Sequence, residues 1–166
     1  MNKKSASLEV GNLAPEFRAT AVGGEYGAGR EVSLTQLRGS PVVLYFYPKD
    51  DTPGCTAQAC GLRDSWGDLS ARARIFGVSV DSPASHEKFI EKYQLPFPIL
   101  SDPQKEIVNA YGVWVEKSMY GKKYMGGERS TFIIDSAGRI AAIFRKVKPE
   151  AHAAIVREAL ENVALR

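Results

Sequence analysis

The 166-residue sequence has little of what marks secreted, membrane-spanning or disulfide-stabilised proteins. It contains only two cysteines, too few for a disulfide-stapled secreted scaffold. No apolar run approaches the ~18 residues of a membrane span, and no hydrophobic stretch of a signal peptide follows the basic start of the chain. The sequence therefore predicts a cytoplasmic protein with no membrane partner, a setting in which a cysteine pair is more often catalytic than structural.

The sequence also has no large excess of positive or negative charge and no spacing typical of metal ligands. The formal net charge is +3, and basic residues are interspersed with acidic ones, so we expect no nucleic-acid partner. The two histidines, His86 and His152, fall on separate predicted helices without ligand spacing, so we expect them at the surface and expect no metal. No Walker loop or GxGxxG motif is present, and Ser79 lacks the second glycine of a nucleophile elbow, which favours a core serine.

The most informative stretch runs from a hydrophobic strand into a helix. Residues 42–47 are β-branched and aromatic without polar alternation, which is typical of a strand buried on both faces. A polar loop containing Pro48 and Pro53 follows, and from Cys55 the apolar residues recur at helical steps. Cys55 is thus predicted in the first turn of a helix, where free N–H groups stabilise a thiolate, the reactive form of cysteine. The alternative is a small buried hydrophobe, the usual environment of a free cysteine.

Cys60, five residues after Cys55, is the second candidate for redox chemistry. On a regular α-helix this step separates the two Cα atoms by about 8.6 Å, whereas a disulfide needs them within about 7 Å. The thiols can therefore bridge only if the helix unwinds, and the neighbouring Gly61 lowers the cost of unwinding. Two interpretations remain open: unrelated reduced cysteines, or a pair that exchanges a folded dithiol for a locally unfolded disulfide.

The residues around Cys55 resemble a known family. Pro48, Thr52 and Cys55 fit the Pro-x-x-x-Thr-x-x-Cys motif of the peroxiredoxins. The longer stretch Tyr-Pro-Lys-Asp-x-Thr-Pro-Gly-Cys-Thr, followed by Cys60, resembles the peroxiredoxin Q, or bacterioferritin comigratory protein, branch. The similarity runs from about Leu8 to the C terminus. Two further stretches share it: residues 112–114 and 129–135.

The resemblance implies an α/β protein with a thioredoxin-like fold, in which helices flank a central mixed sheet that carries an N-terminal β-hairpin. The predicted elements agree, because a βαβ unit over residues 42–81 is followed by further helices and a ββα unit. Residues 8–166 are expected to form a single domain and residues 1–7 a disordered tail.

Two local predictions accompany this fold. A continuous helix is expected from Cys55 to about Ala73, and residues 114–127 are expected to form a loop or irregular hairpin over the active-site side. In open α/β sheets the reactive site lies at the carboxyl ends of the strands, which is where Cys55 is predicted.

The resemblance also implies an activity, the thiol-dependent reduction of hydrogen peroxide and organic hydroperoxides in antioxidant defence. Cys55 would become a sulfenic acid, Cys60 would resolve it as an intramolecular disulfide, and thioredoxin or a similar dithiol would reduce that disulfide. Arg129 is expected near the Cys55 sulfur, where it and Thr52 stabilise the developing oxyanion, while Pro48 restricts the loop. No cofactor or metal is needed, and the chain is expected to be a monomer.

Two other functions stay open from the residues alone. A disulfide reductase or isomerase could use the same fold, but that chemistry normally uses a CxxC motif, and here four residues separate Cys55 from Cys60. A non-enzymatic redox sensor could signal through the same unwinding. Insulin reduction would indicate the first function, and a mixed disulfide with a regulator would indicate the second.

Overall fold

The computed structural model describes residues 7–164. The predicted tail, residues 1–7, lies outside the described residues except for Ser7, which is exposed. Nine strands lie in this part of the chain: β1 Arg18–Val22, β2 Arg30–Ser33, β3 Val42–Phe46, β4 Arg74–Ser79, β5 Ile99–Ser101, β6 Trp114–Met119, β7 Lys122–Gly127, β8 Ser130–Ile134 and β9 Ile140–Phe144. Five α-helices lie in the same range: α1 Pro53–Asp64, α2 Trp66–Ser70, α3 Pro83–Tyr93, α4 Glu106–Ala110 and α5 His152–Ala164.

Seven of the nine described strands form one mixed sheet in the order β2-β1-β5-β4-β3-β8-β9. The pairs β3–β4 and β4–β5 are parallel, and the remaining pairs are antiparallel. The parallel β3–β4 pair, connected through α1 and α2, is the predicted βαβ unit. The β1–β2 hairpin at one edge confirms the predicted N-terminal hairpin, and the β8–β9 hairpin at the other edge supplies the two strands of the predicted ββα unit.

The central strand β3 is buried on both faces, as its composition predicts. Its residues alternate between two apolar clusters, with Val42, Leu44 and Phe46 in one and Val43 and Tyr45 in the other. Each of the five is at most 2% exposed. Since a fully buried large apolar side chain contributes about 1.5–3 kcal/mol, this strand is a rigid support for the loop that follows it. None of the helices in the described part of the chain is long and apolar enough to cross a membrane.

The predicted helix from Cys55 to about Ala73 is interrupted, so that prediction is wrong in its middle. The α-helix stops after Asp64, and a shorter helix, α2, begins after Ser65, whose backbone N–H turns back to the Leu62 carbonyl. Serine competes with the helix through local hydrogen bonds, and glycine, which follows in α2, is a poor helix former. The apolar face nevertheless continues across the break, since Leu62 in α1 and Leu69 in α2 are both buried in the core.

The segment predicted as a loop or irregular hairpin is a regular hairpin. Strands β6 and β7 pair over six positions and form a two-stranded sheet of their own. A two-residue turn joins them, in which Tyr120 and Gly121 both have positive φ, 52° and 76°. This geometry fits a type I′ turn, whose usual sequence signal is Asn-Gly or Asp-Gly. Because Tyr120 stands at the first position in place of Asn or Asp, the sequence does not show that signal.

Both histidines are fully buried, which contradicts their expected surface positions. His86 lies on the inner face of α3, where its ring meets the Asp50 carboxylate and the Leu100 carbonyl. His152 begins α5, and its Nε2 lies 2.7 Å from the Thr131 hydroxyl. Each ring has a polar partner that compensates for lost water, and such partners decide whether a polar side chain can be buried. The helical pattern alone does not reveal these partners.

The burial of His152 predicts a pH-dependent stability. Loss of water around the ring, together with the Arg129 guanidinium, lowers the pKa of His152 to about 3. The unfolded chain binds the extra proton below about pH 6.5, so the free energy of unfolding should fall as pH drops from about 6.5 towards 3. The slope from this group is at most about 1.4 kcal/mol per pH unit.

Urea unfolding of the wild-type protein and a His152→Gln variant at about pH 7 and about pH 5 measures this slope. The wild-type protein should lose about 2 kcal/mol more stability over this range than the variant, which has no ring to protonate. Equal losses in the two proteins would show that His152 does not stay neutral in the folded state.

Candidate active site

The first turn of α1 holds Cys55 at the carboxyl end of β3. Thr52 is extended (φ −103°, ψ 154°) and precedes the helix, and Pro53 occupies its first position, where a missing N–H costs nothing. The Cys55 side chain points inward and the residue is 1% exposed, while Cys60 is half-buried. Both thiols are free. Because α1 is unbroken from Pro53 to Asp64, the structure shows the helical state in which the two cysteines are too far apart to bridge.

Arg129, the residue before β8, reaches the sulfur as expected. Its Nη1 lies 3.5 Å from the Cys55 Sγ and donates a 2.7 Å hydrogen bond to Gln58 Oε1. Gly54 leaves room for the guanidinium, since a Cβ on Gly54 would lie 3.1 Å from Arg129 Nη2. A half-buried guanidinium keeps its charge, so a permanent cation faces the sulfur.

Gln58 is a polar residue of the site that the sequence patterns did not predict. It follows Cys55 by three residues, so both side chains lie on the same face of α1. The residue is fully buried; its Oε1 binds Arg129, and its Nε2 has no hydrogen-bond partner among the described residues. The available signal was a glutamine on the same helical face as Cys55, flanked by the buried Ala59 and Leu62.

Thr52 and Pro48 shape the loop before α1. The Thr52 hydroxyl donates to the Lys49 carbonyl at 2.9 Å, so it closes the loop on itself and is not bonded to the Cys55 sulfur. Its carbonyl accepts from the Thr56 N–H at 2.8 Å, which starts the helix. Pro48 is half-buried and packs against the β6–β7 hairpin, where Gly127 allows close approach.

An open cleft leads to Arg129. The hairpin lies over the active-site side, as expected, and contributes Val115, Lys117 and Tyr124 to the cleft, opposite Pro48. The β6–β7 register places these three hairpin residues on one face. Burial and the charge of Arg129 lower the pKa of Lys117. The cleft therefore combines apolar residues such as Pro48 and Val115 with charged ones, among them Glu128 and Arg129.

A buried polar network fastens the same loop to α3. The Asp50 carboxylate accepts hydrogen bonds from Tyr47 and from Ser85 at 2.8 Å, and its Oδ2 lies 2.7 Å from His86 Nδ1. The Asp50 N–H donates to Asp81 Oδ2 at 2.8 Å. Ligand atoms of Asp50, Asp81 and His86 lie within 4.8 Å of one another, but the two side chains of the Asp50–His86 pair are already bonded to each other. These residues are far apart in sequence, so the sequence offered no signal for the network.

The comparisons with known proteins agree with this geometry. Residues 10–143 match the family described as the AhpC/TSA family. A protein of Coxiella burnetii named putative peroxiredoxin bcp is 50% identical over 151 residues, which cover 90% of this chain and 97% of the relative. A PrxQ mutant of Xylella fastidiosa has a similar structure, with a TM-score of 0.87 and 30% identity over 96% of this chain and 99% of that one.

A third similar protein is the bacterioferritin comigratory protein of Xanthomonas campestris, whose trapped intermediate and ligand complexes concern its alkyl peroxide reduction activity. Its structure has a TM-score of 0.81 and 37% identity, over 89% of this chain and 92% of that chain. The thioredoxin-like fold is thereby confirmed. The chain belongs to the AhpC/TSA family and, within it, to the peroxiredoxins of the Bcp or peroxiredoxin Q type, which are thiol-dependent peroxidases.

Proposed function

We propose that this chain reduces hydrogen peroxide and alkyl hydroperoxides through Cys55, with Cys60 as the resolving thiol and thioredoxin or a similar dithiol as the reductant. The observation that carries the proposal is the 3.5 Å approach of the Arg129 guanidinium to the Cys55 sulfur at the start of a helix. Both the cation and the helix N-terminus place positive charge beside the sulfur. The alkyl peroxide reduction of the Xanthomonas campestris relative supports the inclusion of alkyl hydroperoxides.

In the first step the Cys55 thiolate attacks one peroxide oxygen. An S–O bond forms, the O–O bond breaks, and the leaving oxygen takes up a proton and departs as water or an alcohol, which leaves a sulfenic acid. Negative charge moves from sulfur to the leaving oxygen, and Arg129 stands where it can stabilise both ends. The Thr52 hydroxyl, which donates to Lys49 in the structure, rotates to donate to the peroxide.

In the second step α1 unwinds and the Cys60 thiol attacks the sulfenic sulfur. A disulfide forms and water leaves; an external dithiol then restores both thiols by exchange. Unwinding breaks the Arg129–Gln58 hydrogen bond but also exposes the Gln58 Nε2, which has no partner among the described residues in the helical state. An unsatisfied buried donor costs about 1–3 kcal/mol, so its release on unwinding offsets the loss of the hydrogen bond to Arg129.

We take residues 8–166 to form one domain, because a single sheet extends from β2 to β9 and α5 packs back against α1. We further take the enzyme to be a cytoplasmic monomer that serves antioxidant defence. Sedimentation of the reduced and oxidised protein tests the monomer, and a stable dimer would contradict it.

Variants of the two cysteines test the assigned roles. Reduced protein is mixed with hydrogen peroxide in a stopped-flow instrument, and its mass is then measured. The wild-type protein should react rapidly and lose two hydrogens as the disulfide forms. Cys55→Ser should not react, because the nucleophile is absent. Cys60→Ser should react once, gain one oxygen and fail to turn over with thioredoxin.

Each alternative has its own outcome in this experiment. Continued turnover by Cys60→Ser would remove Cys60 from the cycle while leaving Cys55 as the nucleophile. A wild-type rate no faster than that of a free thiol would overturn the peroxidase mechanism. Insulin reduction by the wild-type protein would then favour the disulfide-exchange alternative.

Substitutions at Arg129 and Gln58 test the charge at the sulfur. Arg129→Gln should slow Cys55 oxidation by about 10²–10³-fold, the usual cost of losing one donor to a developing oxyanion. Gln58→Leu should slow it by about fivefold, because Arg129 loses the acceptor that orients it, a bond of about 1 kcal/mol. Gln58→Glu keeps an acceptor oxygen and should recover most of the rate.

The oxidation rates of the three variants and the wild-type protein are compared under one set of conditions. A thermal unfolding midpoint for each variant serves as the control for folding. Equal rates for Gln58→Leu and Gln58→Glu would show that Gln58 does not orient Arg129.

A further inference from the structure

The Asp50–His86 pair is a buried titratable cluster that the proposed mechanism does not use. The His86 side chain is 0% exposed and the Asp50 side chain 4% exposed. Asp50 belongs to the loop between β3 and α1, and His86 belongs to α3. The pair therefore joins the loop before Cys55 to a helix on another part of the sheet.

Both ring nitrogens of His86 face hydrogen-bond acceptors. Nδ1 lies 2.7 Å from Asp50 Oδ2, and Nε2 lies 3.2 Å from the carbonyl oxygen of Leu100. A carbonyl oxygen can only accept, so the second contact requires a proton on Nε2. The first contact requires another proton between Nδ1 and Oδ2, because a bare nitrogen and a bare carboxylate oxygen would repel each other. The pair thus contains two protons.

The remaining contacts of Asp50 fit a carboxylate in an ion pair. Tyr47 donates to one of its oxygens, and Ser85 donates to the other at 2.8 Å, beside His86. Three donors on one buried side chain are the arrangement that stabilises a negative charge. The second proton therefore belongs to the ring, which pairs as a cation with the carboxylate.

We propose that Asp50 and His86 are positioning residues of the peroxidase: a doubly protonated ring, paired with a carboxylate, holds the loop that sets the start of α1. The inference rests on the proposed function. It goes beyond that function because the proton count and the anchoring role concern residues that touch neither peroxide nor sulfur.

The loop transmits the position of the pair to Cys55. Asp50 is separated by only two residues from the first residue of α1, and its own N–H is held by Asp81 at 2.8 Å. Between them, Asp51 adopts a left-handed conformation (φ 56°), and Thr52 closes the loop on the Lys49 carbonyl. The loop is thus held at Asp50 through its side chain and its N–H, and at Thr52 through its hydroxyl, so it has little freedom to shift.

The distance between sulfur and guanidinium depends on that loop. The backbone of Arg129 precedes β8 and is not part of α1, so a displaced helix start would change the 3.5 Å contact between its guanidinium and Cys55. A displacement of about 1 Å at a reactive centre can cost about 100-fold in rate. The pair thereby controls the rate through geometry, although it does not take part in the reaction.

Nitrogen NMR of the isotope-labelled reduced protein tests the proton count directly. Near neutral pH, both His86 ring nitrogens should carry protons. In Asp50→Asn the amide can donate to Nδ1, so the ring should keep only the proton on Nε2. A wild-type ring with a single proton, on either nitrogen, would overturn the proposal.

Kinetics of Cys55 oxidation test the positioning role. His86→Gln leaves Asp50 as a buried carboxylate without its cation, and the oxidation rate should fall about tenfold or more. The double variant Asp50→Asn with His86→Gln has two neutral amides that can bond each other, so it should recover most of the lost rate. Lys88→Gln, on the exposed side of α3, is the matched control and should react like the wild-type protein.

The outcomes separate this proposal from the proposed function. The loss of oxidation rate in the double variant is compared with the losses in Asp50→Asn and His86→Gln added together. If the two are equal, the residues have a packing role only and the inference is overturned. If His86→Gln does not fold, the NMR comparison with Asp50→Asn and the double variant still decide the question. If the wild-type protein itself did not react with peroxide, the proposed function would fail, whereas the proton count would still be decided by NMR.

Discussion

The 3.5 Å approach of the Arg129 guanidinium to the Cys55 sulfur is the contact on which the rest of the site depends. Its two partners come from neighbouring strands: Cys55 follows β3, and Arg129 precedes β8. The antiparallel register sets Phe46, the last residue of β3, opposite Ser130, the first residue of β8. The end of one strand and the start of the next therefore meet at one edge of the sheet. The pairing register, more than any local motif, sets the distance between the cation and the sulfur.

Helix α1 is under two opposing demands in the proposed cycle, because it must be intact to present Cys55 and must unwind to admit Cys60. Burial of Cys55 and Ala59 stabilises the first turns, but both side chains are small, so the gain is modest. Against it stand Gly61, at about 1 kcal/mol relative to alanine, and the unsatisfied Gln58 amide, at about 1–3 kcal/mol. These terms are of similar size, which suits a helix that has to change between two states.

Local patterns predicted the strand, the loop and the helix start around Cys55, because each depends on neighbouring residues. They could not predict the buried polar network, because its partners are distant in sequence: Asp50 lies 31 residues from Asp81, and Gln58 lies 71 residues from Arg129. Arg129 was found only because a family motif marks it. The same limit explains the error over the histidines: helical periodicity shows which face is apolar, but only a distant partner shows that a polar ring can lie there.

The two buried histidines lie in different environments, and they bear on two separate properties of the site: the charge near the Cys55 sulfur and the position of that sulfur. His152 faces a hydroxyl and the nearby Arg129, and burial lowers its pKa to about 3, so near neutral pH it adds no charge that would repel the guanidinium. In the proposed arrangement the charge of His86 is balanced by Asp50, so that pair adds no net charge either. The positive charge at the sulfur thus comes from Arg129, whereas the proposed role of the Asp50–His86 pair is to hold the loop before Cys55 in the position that the strand register allows. Because different residues supply the two properties, a substitution can alter one and leave the other in place.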